Sequence, residues 1–365
     1  MQVGEPPVID FGRELSLQFS RPGKRTMTLT KTVHKAYYGT DPEAKELLVQ
    51  EVRDACKQFG FFQLVNHAIP TGLQQQVLEQ SKNLFELPLE TKQKYDKEIE
   101  GLQRGYECLR SQNFEKRTKG DLKEGYYLGK NLPSDDPLVV QRRFGQAPNK
   151  YPSEVRDPEK FKIVMEEYHT VMSTFATHIM EVMACTLDLK KDFFDDFCDH
   201  PVAVLRLLHY PPQDPATVET ERGIGAHTDF GAVTMLLQDN TGGLQVWNNI
   251  SSEWVDVTPL PGAYVVNLGN LMMQWTNDRY LSNLHRVINK SGDERFSIPF
   301  FFSGHPDFTV ECLPSCMDPE QGAKYPPVTV HDWMVGRISD TYGLSNGKAI
   351  GDLRQELANS TEARQ

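Results

Sequence analysis

The sequence predicts a mainly β fold, a sandwich or jelly roll packed against N-terminal helices, and two observations carry that expectation. From about residue 201 short β-rich segments follow one another: AVLRLLHY, GAVTMLLQD, GLQVWN, WVDVT, AYVVNLG and RFSIPFFFS. The turn-forming PPQDP, NTGG, PLPG and KSGDE part them. Ahead of them, three stretches repeat apolar residues every three or four positions, as packed helices do. Strands in such number bury their inner faces on one another, and the helices cover what is left.

In chain order, PPVIDF reads as an opening strand. Residues 15–40 then carry Arg21, Lys24, Arg25, Lys31 and Lys35 with no acidic residue, a solvated loop or a lid that contacts an anion. Asp41-Pro42 is a cap followed by a first-turn proline, and Ala44, Leu47, Leu48, Val52 and Phe59 form a helical stripe that stops at Gly60. GFFQLVNH follows as a strand. Leu73, Val77, Leu78, Leu84 and Phe85 mark a second helix ending near Pro88. Asp157-Pro158 repeats the cap before the longest helix, whose stripe from Phe161 through Met172 to Leu187 is rich in methionine and aromatics and reads as core. The expected organisation is one compact unit: a helical and β region over 1–150, a long helix with the β core over 151–345, and a tail over 346–365.

Composition excludes several function classes. With 39 basic against 50 acidic residues the formal charge is −11, which works against nucleic acid and anionic membrane as partners and leaves a small molecule. The six cysteines do not form a disulfide scaffold and read as thiols of a reducing compartment. The sequence shows no membrane span and no targeting segment, so the cytoplasm is the expected location.

GAHTDFGAVTMLLQD, residues 225–239, sets His227 and Asp229 at the head of an apolar, β-branched run. Alternate residues of a strand share a face, so the two point one way and Thr228 the other. Alone the pair is a weak signal, since an ion pair or a surface edge produces it too. SNLHRV adds His285, far enough downstream for intervening strands to return the chain to the same place. Two histidines and a carboxylate on one face suit a non-haem Fe(II) with open positions. Zinc with a bound water competes for the same set.

In RFS, Arg295 and Ser297 share a face, where a guanidinium fork beside a hydroxyl receives a carboxylate. A core ion pair is the plainer reading of Arg295. In RLLHYPP, Arg206, Leu208 and Tyr210 alternate on one face of a neighbouring strand, with Tyr210 able to hydrogen-bond the same anion and Arg206 able to meet an anionic or carbonyl group. His209 faces away, toward packing or solvent.

Taken together, GFFQLVNH, RLLHYPP, GIGAHTDFGAVTMLLQDNTGGLQV, VVNLGN, SNLHRV and RFS, in this order across roughly residues 7–345, resemble the isopenicillin N synthase-like branch of the Fe(II)/2-oxoglutarate dioxygenases. The resemblance implies a double-stranded β-helix core, jelly-roll or cupin-like, with helical elaboration. It implies iron on His227, Asp229 and His285, and the far carboxylate of 2-oxoglutarate on Arg295 and Ser297 with Tyr210 assisting. The implied activity uses O2, releases succinate and CO2, and hydroxylates, desaturates, cyclises or rearranges a small molecule in specialised metabolism.

Phe301, Tyr126 and Leu128 match positions that border the substrate pocket in such enzymes. Aromatics there suggest a ring-bearing or largely apolar substrate, although core packing explains each of them equally well. For Phe230, on the other face from Asp229, core packing is the expectation. Three positions depart from the family pattern: Leu208 stands where asparagine is common, Ala68 where NHG is usual, and Asn270 where GD is usual. The first removes or replaces a cosubstrate hydrogen bond; the other two read as structural, away from the proposed ligands.

Three rivals share these residues. An oxidase of the isopenicillin N synthase type would use the same iron ligands without 2-oxoglutarate and release no succinate. A zinc hydrolase would work without oxygen, but nothing in the chain singles out a hydrolytic base. A non-catalytic jelly-roll binding module would keep its ligand affinity after His227→Ala and Asp229→Ala.

Overall fold

The computed structural model describes residues 4–11, 42–67, 69–101, 103–115, 119–217 and 220–341. The basic segment 15–40, Asp41, Ala68 and the tail 346–365 lie outside these residues.

The three expected helices occupy Pro42–Gln58, Thr71–Phe85 and Pro158–Thr186. The first buries Leu48, Val52, Ala55 and Cys56 as one stripe, but Leu47 of the expected stripe is exposed. In the longest, the Asp157 side chain accepts from the Lys160 amide at 3.0 Å and so satisfies a donor that the first turn leaves open. Asp157→Ala is expected to lower the unfolding free energy by about 1 kcal/mol in urea titration, the usual worth of such a cap. The methionine and aromatic stripe of this helix lies wholly in the main hydrophobic core, as expected.

Strands follow in chain order as β1 (Val8–Asp10), β2 (Phe61–Val65), β3 (Gly105–Glu107), β4 (Glu124–Gly129), β5 (Val202–Tyr210) and β6 (Ile224–His227). The series continues with β7 (Val233–Gln238), β8 (Leu244–Asn248), β9 (Glu253–Asp256), β10 (Tyr264–Leu268), β11 (His285–Val287) and β12 (Arg295–Gly304). An eight-stranded sheet runs β1-β2-β10-β7-β12-β5-β4-β3, and a four-stranded sheet runs β6-β11-β8-β9. Residues of both sheets line one cavity, which makes this a double-stranded β-helix core with helical elaboration on the larger sheet. β1 to β4, all from the first 150 residues, are hydrogen-bonded members of the larger sheet.

GAHTDFGAVTMLLQD is not one strand. β6 ends at His227 in the smaller sheet, and β7 begins at Val233 in the larger one. The chain crosses between sheets at Asp229-Phe230-Gly231. A Cβ at Gly231 would lie 2.5 Å from Ser303 Oγ and 3.1 Å from the Phe302 carbonyl, so the crossing is packed closely against the end of β12. Asn270 closes it: its amide donates to the Asp229 carbonyl at 2.8 Å, and its side chain accepts from Thr228 Oγ1 at 3.2 Å. Asn270 is therefore structural, as expected, but it does touch the Asp229 segment.

His169, on the long helix, is buried and hydrogen-bonded through Nε2 to the Ala203 carbonyl at 3.0 Å. Burial lowers its pKa from 6.5 to about 4, so between those values the unfolded chain binds a proton that the folded chain refuses. Stability contributed by this histidine is complete above 6.5 and is lost as pH falls toward 4. The wild type should therefore lose urea midpoint toward acid more steeply than His169→Gln; equal slopes would contradict this account.

All six cysteines are free thiols, as the sequence suggests. No helix among the described residues is long and apolar enough to cross a membrane.

Candidate active site

Strand register builds the first half of the site. β6 and β11 are antiparallel with His227 directly opposite His285, and their imidazole centroids lie 4.2 Å apart. Asp229 follows where the chain leaves β6. Ligand-type atoms of the three side chains lie within 4.8 Å of one another.

The tautomers follow from the backbone. His227 Nδ1 lies 2.8 Å from the Gly225 carbonyl and His285 Nδ1 3.2 Å from the Asn283 carbonyl. A carbonyl has no proton to give, so each Nδ1 donates, and Nε2 is the nitrogen left to act as a ligand. Those Nε2 atoms face Asp229 Oδ1 at 3.8 and 3.7 Å. Burial, then the neighbouring His285, holds His227 well below the usual imidazole range, so its ring is neutral at neutral pH. Burial alone would raise the Asp229 carboxyl; the two histidines and hydrogen bonds from Asn267, at 2.7 Å, and Thr234 outweigh it and hold the group ionised. Two imidazole Nε2 atoms and an anionic carboxylate oxygen thus face one another in a buried space. A divalent cation is what satisfies such a set.

The second half lies on β5, β7 and β12. Arg295 is opposite Tyr210, and Ser297 is opposite both Leu208 and Gln238. Arg295 is fully buried. Its Nε donates to the Gly242 carbonyl at 2.6 Å and its Nη2 to Gln238 Oε1 at 3.2 Å, while its Nη1 is buried without a partner. The guanidinium stacks on Tyr210 at 4.7 Å, and the Tyr210 hydroxyl lies 3.4 Å from Ser297 Oγ. All its hydrogen bonds go to neutral oxygens, so the core ion pair is not formed among the described residues. A buried charge with an unused donor calls for an anion. Around it Leu208, Ile224, Leu244 and Val287 supply apolar walls.

One cavity of about 160 Å³ joins the two halves and extends past the histidines. Phe114 stacks on His227 there, with centroids 4.6 Å apart and rings within 14° of parallel. Phe301 lines the cavity, as the sequence suggests. Tyr126 and Leu128 do not: both are buried in the main core, and Tyr126 donates to the Lys150 carbonyl at 3.0 Å. β4 alternates its faces, so the side chain between them, Tyr127, is the one at the cavity. Arg206 reaches the cavity wall, but it donates to the Glu107 carboxylate and, at 2.9 Å, to Gln112, so it meets an acid of the protein itself. Phe230 packs against the core and also lines the cavity.

Sequence reasoning missed Asn267, Gln238, Tyr127 and Phe114. Asn267 carried a signal, a lone amide on an otherwise apolar strand, and Gln238 a weaker one, an amide closing a strand whose other polar residue is Thr234. Phe114 lies outside any strand or helix, where no periodicity marks it.

Comparison with known proteins gives a consistent set of likenesses. Two family models match: the N-terminal region of the non-haem dioxygenases in morphine synthesis over residues 30–154, and the 2OG-Fe(II) oxygenase superfamily over residues 201–304. The 2-oxoglutarate-Fe(II) type oxidoreductase hxnY of Emericella nidulans is 47% identical, over 90% of this chain and 93% of its own. Clavatol oxidase claD of Penicillium crustosum is 36% identical, over 82% of this chain and 92% of its own. Among solved structures, a full-length Neurospora crassa protein in complex with alpha-KG and thymine superposes with a TM-score of 0.76 at 26% identity, covering 92% of this chain and 97% of that one. The dioxygenase for auxin oxidation of rice does so with a TM-score of 0.68 at 25% identity, covering 92% and 96%.

Proposed function

The chain belongs to the 2OG-Fe(II) oxygenase superfamily, and on that premise we propose that His227, Asp229 and His285 hold the iron while Arg295, Ser297 and Tyr210 hold the far carboxylate of 2-oxoglutarate. The protein is an Fe(II)- and 2-oxoglutarate-dependent oxygenase of a small molecule. The observation that carries the residue assignment is the pair of unmet demands in one cavity: a converging cluster of two imidazoles and a carboxylate, and a buried guanidinium with an unused donor.

Bound iron and 2-oxoglutarate supply an oxidative decarboxylation to succinate and CO2 that is coupled to oxidation of the substrate. The chain's own residues do the rest. Asn267 and Thr234 fix the Asp229 carboxylate, and the Gly225 and Asn283 carbonyls fix which imidazole nitrogen carries the lone pair. Gln238 and the Gly242 carbonyl hold the Arg295 fork so that Nη1 is left for the ligand. Leu208 and its apolar neighbours exclude water from the cosubstrate's chain, which strengthens the charge pairing at its end. Leu208 gives only apolar contact, so beside Gln238 the polar side chains next to Arg295 are those of Ser297 and Tyr210.

The prime substrate carries a flat or largely apolar body, bordered by Phe114, Phe301 and Phe230, and we assign it to specialised metabolism on the strength of relatives such as clavatol oxidase. The regions 1–150 and 151–345 act as one unit, since the larger sheet draws strands from both. The test is stoichiometric: purified protein with Fe(II), ascorbate, 2-oxoglutarate and O2 should form succinate. Oxygen-dependent substrate oxidation without succinate would overturn this reading in favour of the oxidase.

A further inference from the structure

The cavity holds a second buried arginine whose charge is unbalanced. Arg104, just before β3, is 1% exposed. Its Nη2 donates to the Gly145 carbonyl, its Nη1 reaches only the Gln103 carbonyl at 3.5 Å, and its Nε is buried without a partner. Among the described residues it forms no ion pair, and burial depresses its pKa to about 10. Arg206, on the same cavity, is different, because it pairs with Glu107. Glu107 is in turn shared with Lys97 at 3.0 Å and Lys123 at 3.1 Å, so it has no charge left to lend.

Position separates Arg104 from the cosubstrate end. A Cβ at Gly129 would overlap its guanidinium, so the group lies against the end of β4. Gly129 is opposite Val204, and Val204 is opposite Phe301. Phe301 is six residues beyond Arg295 on β12, roughly 20 Å at the usual rise per strand residue. The two arginines therefore stand at opposite ends of the same strand face, and Arg104 shares its end with Phe301, Phe144 and Val204.

We propose that Arg104 is the receptor for a carboxylate on the prime substrate, whose ring or apolar body lies along Phe301 and Phe144. One unbalanced guanidinium matches a monoanion, and its planar fork matches a carboxylate. This deepens the functional reading above and rests on it, since it takes the cavity as the substrate site.

The test uses anaerobic protein saturated with Fe(II) and 2-oxoglutarate, with benzoate, 4-hydroxybenzoate and phenylacetate as probes and the three matching amides as neutral controls. Calorimetry and thermal shift should show at least one acid binding while its amide does not. Arg104→Met should weaken that acid about 30-fold or more, as expected when a buried charge loses its partner, and Arg104→Lys should recover part of the loss. The ligand-free Tm of Arg104→Met should match or exceed that of the wild type, because an unbalanced buried charge has gone. Its visible 2-oxoglutarate band should be unchanged, which separates failure of this proposal from failure of the residue assignment above. The proposal is overturned if no acid binds, if amides bind as well as acids, or if Arg104→Met binds as the wild type does. It is equally overturned if Arg104→Met loses ligand-free Tm and Arg104→Lys restores no binding, the signature of a purely structural arginine.

Discussion

Asp229→Ala is expected to abolish succinate formation and to remove high-affinity Fe(II) binding while leaving the protein folded. Asp229 contributes the only negative charge of the three-residue cluster, so its loss leaves two imidazoles facing each other in a buried space. The Asn267 amide loses its acceptor in this variant, so some fall in Tm is expected, and Fe(II) binding is read on protein shown to be folded by circular dichroism. Asn267→Ala is the graded version. It deletes the 2.7 Å hydrogen bond to Asp229 Oδ2, and loss of such a supporting contact typically lowers metal affinity or activity by about 10–100-fold. Equal Fe(II) affinity in wild type and Asp229→Ala, measured by anaerobic equilibrium dialysis, would contradict the assignment.

Arg295→Met is expected to raise the 2-oxoglutarate KM by about 30-fold or more, the usual cost of removing one partner from a buried, hydrogen-bonded charge pair. Fe(II) affinity should be unchanged, because Arg295 lies on β12 and the three metal-type side chains lie on β6, β11 and the crossing after β6. Gln238→Ala should produce a smaller rise in the same direction, since it frees one arm of the fork without removing its charge. A variant whose KM matches the wild type but whose Tm collapses would show Arg295 to be a core residue, the plainer reading of its sequence position.

Legibility follows pattern length. The long helix is readable because Asp157-Pro158 and the stripe beginning at Phe161 and Val164 agree on its start and its buried face. The metal-type cluster is readable because antiparallel register puts His227 opposite His285, so residues far apart in sequence meet at one level of a sheet. The continuity of residues 225–239 misleads: apolar and β-branched residues downstream of Asp229 give the same pattern whether or not the chain changes sheets, as it does between His227 and Val233. Tyr126 and Leu128 miss the cavity by one residue, the smallest error that a period of two allows and the one that reverses every side chain. Arg104 and Phe114 lie beyond reach, since each meets the cavity from outside a regular element.

The central claim is that one cavity joins an iron site on His227, Asp229 and His285 to a 2-oxoglutarate site on Arg295. Anaerobic titration of Fe(II) and 2-oxoglutarate, followed through the weak visible charge-transfer band of their complex, tests it most directly. The account predicts a band that needs both components, is lost in Asp229→Ala, and in Arg295→Met requires far more 2-oxoglutarate. A wild-type protein without the band, or an Asp229→Ala variant that keeps it, would contradict the account.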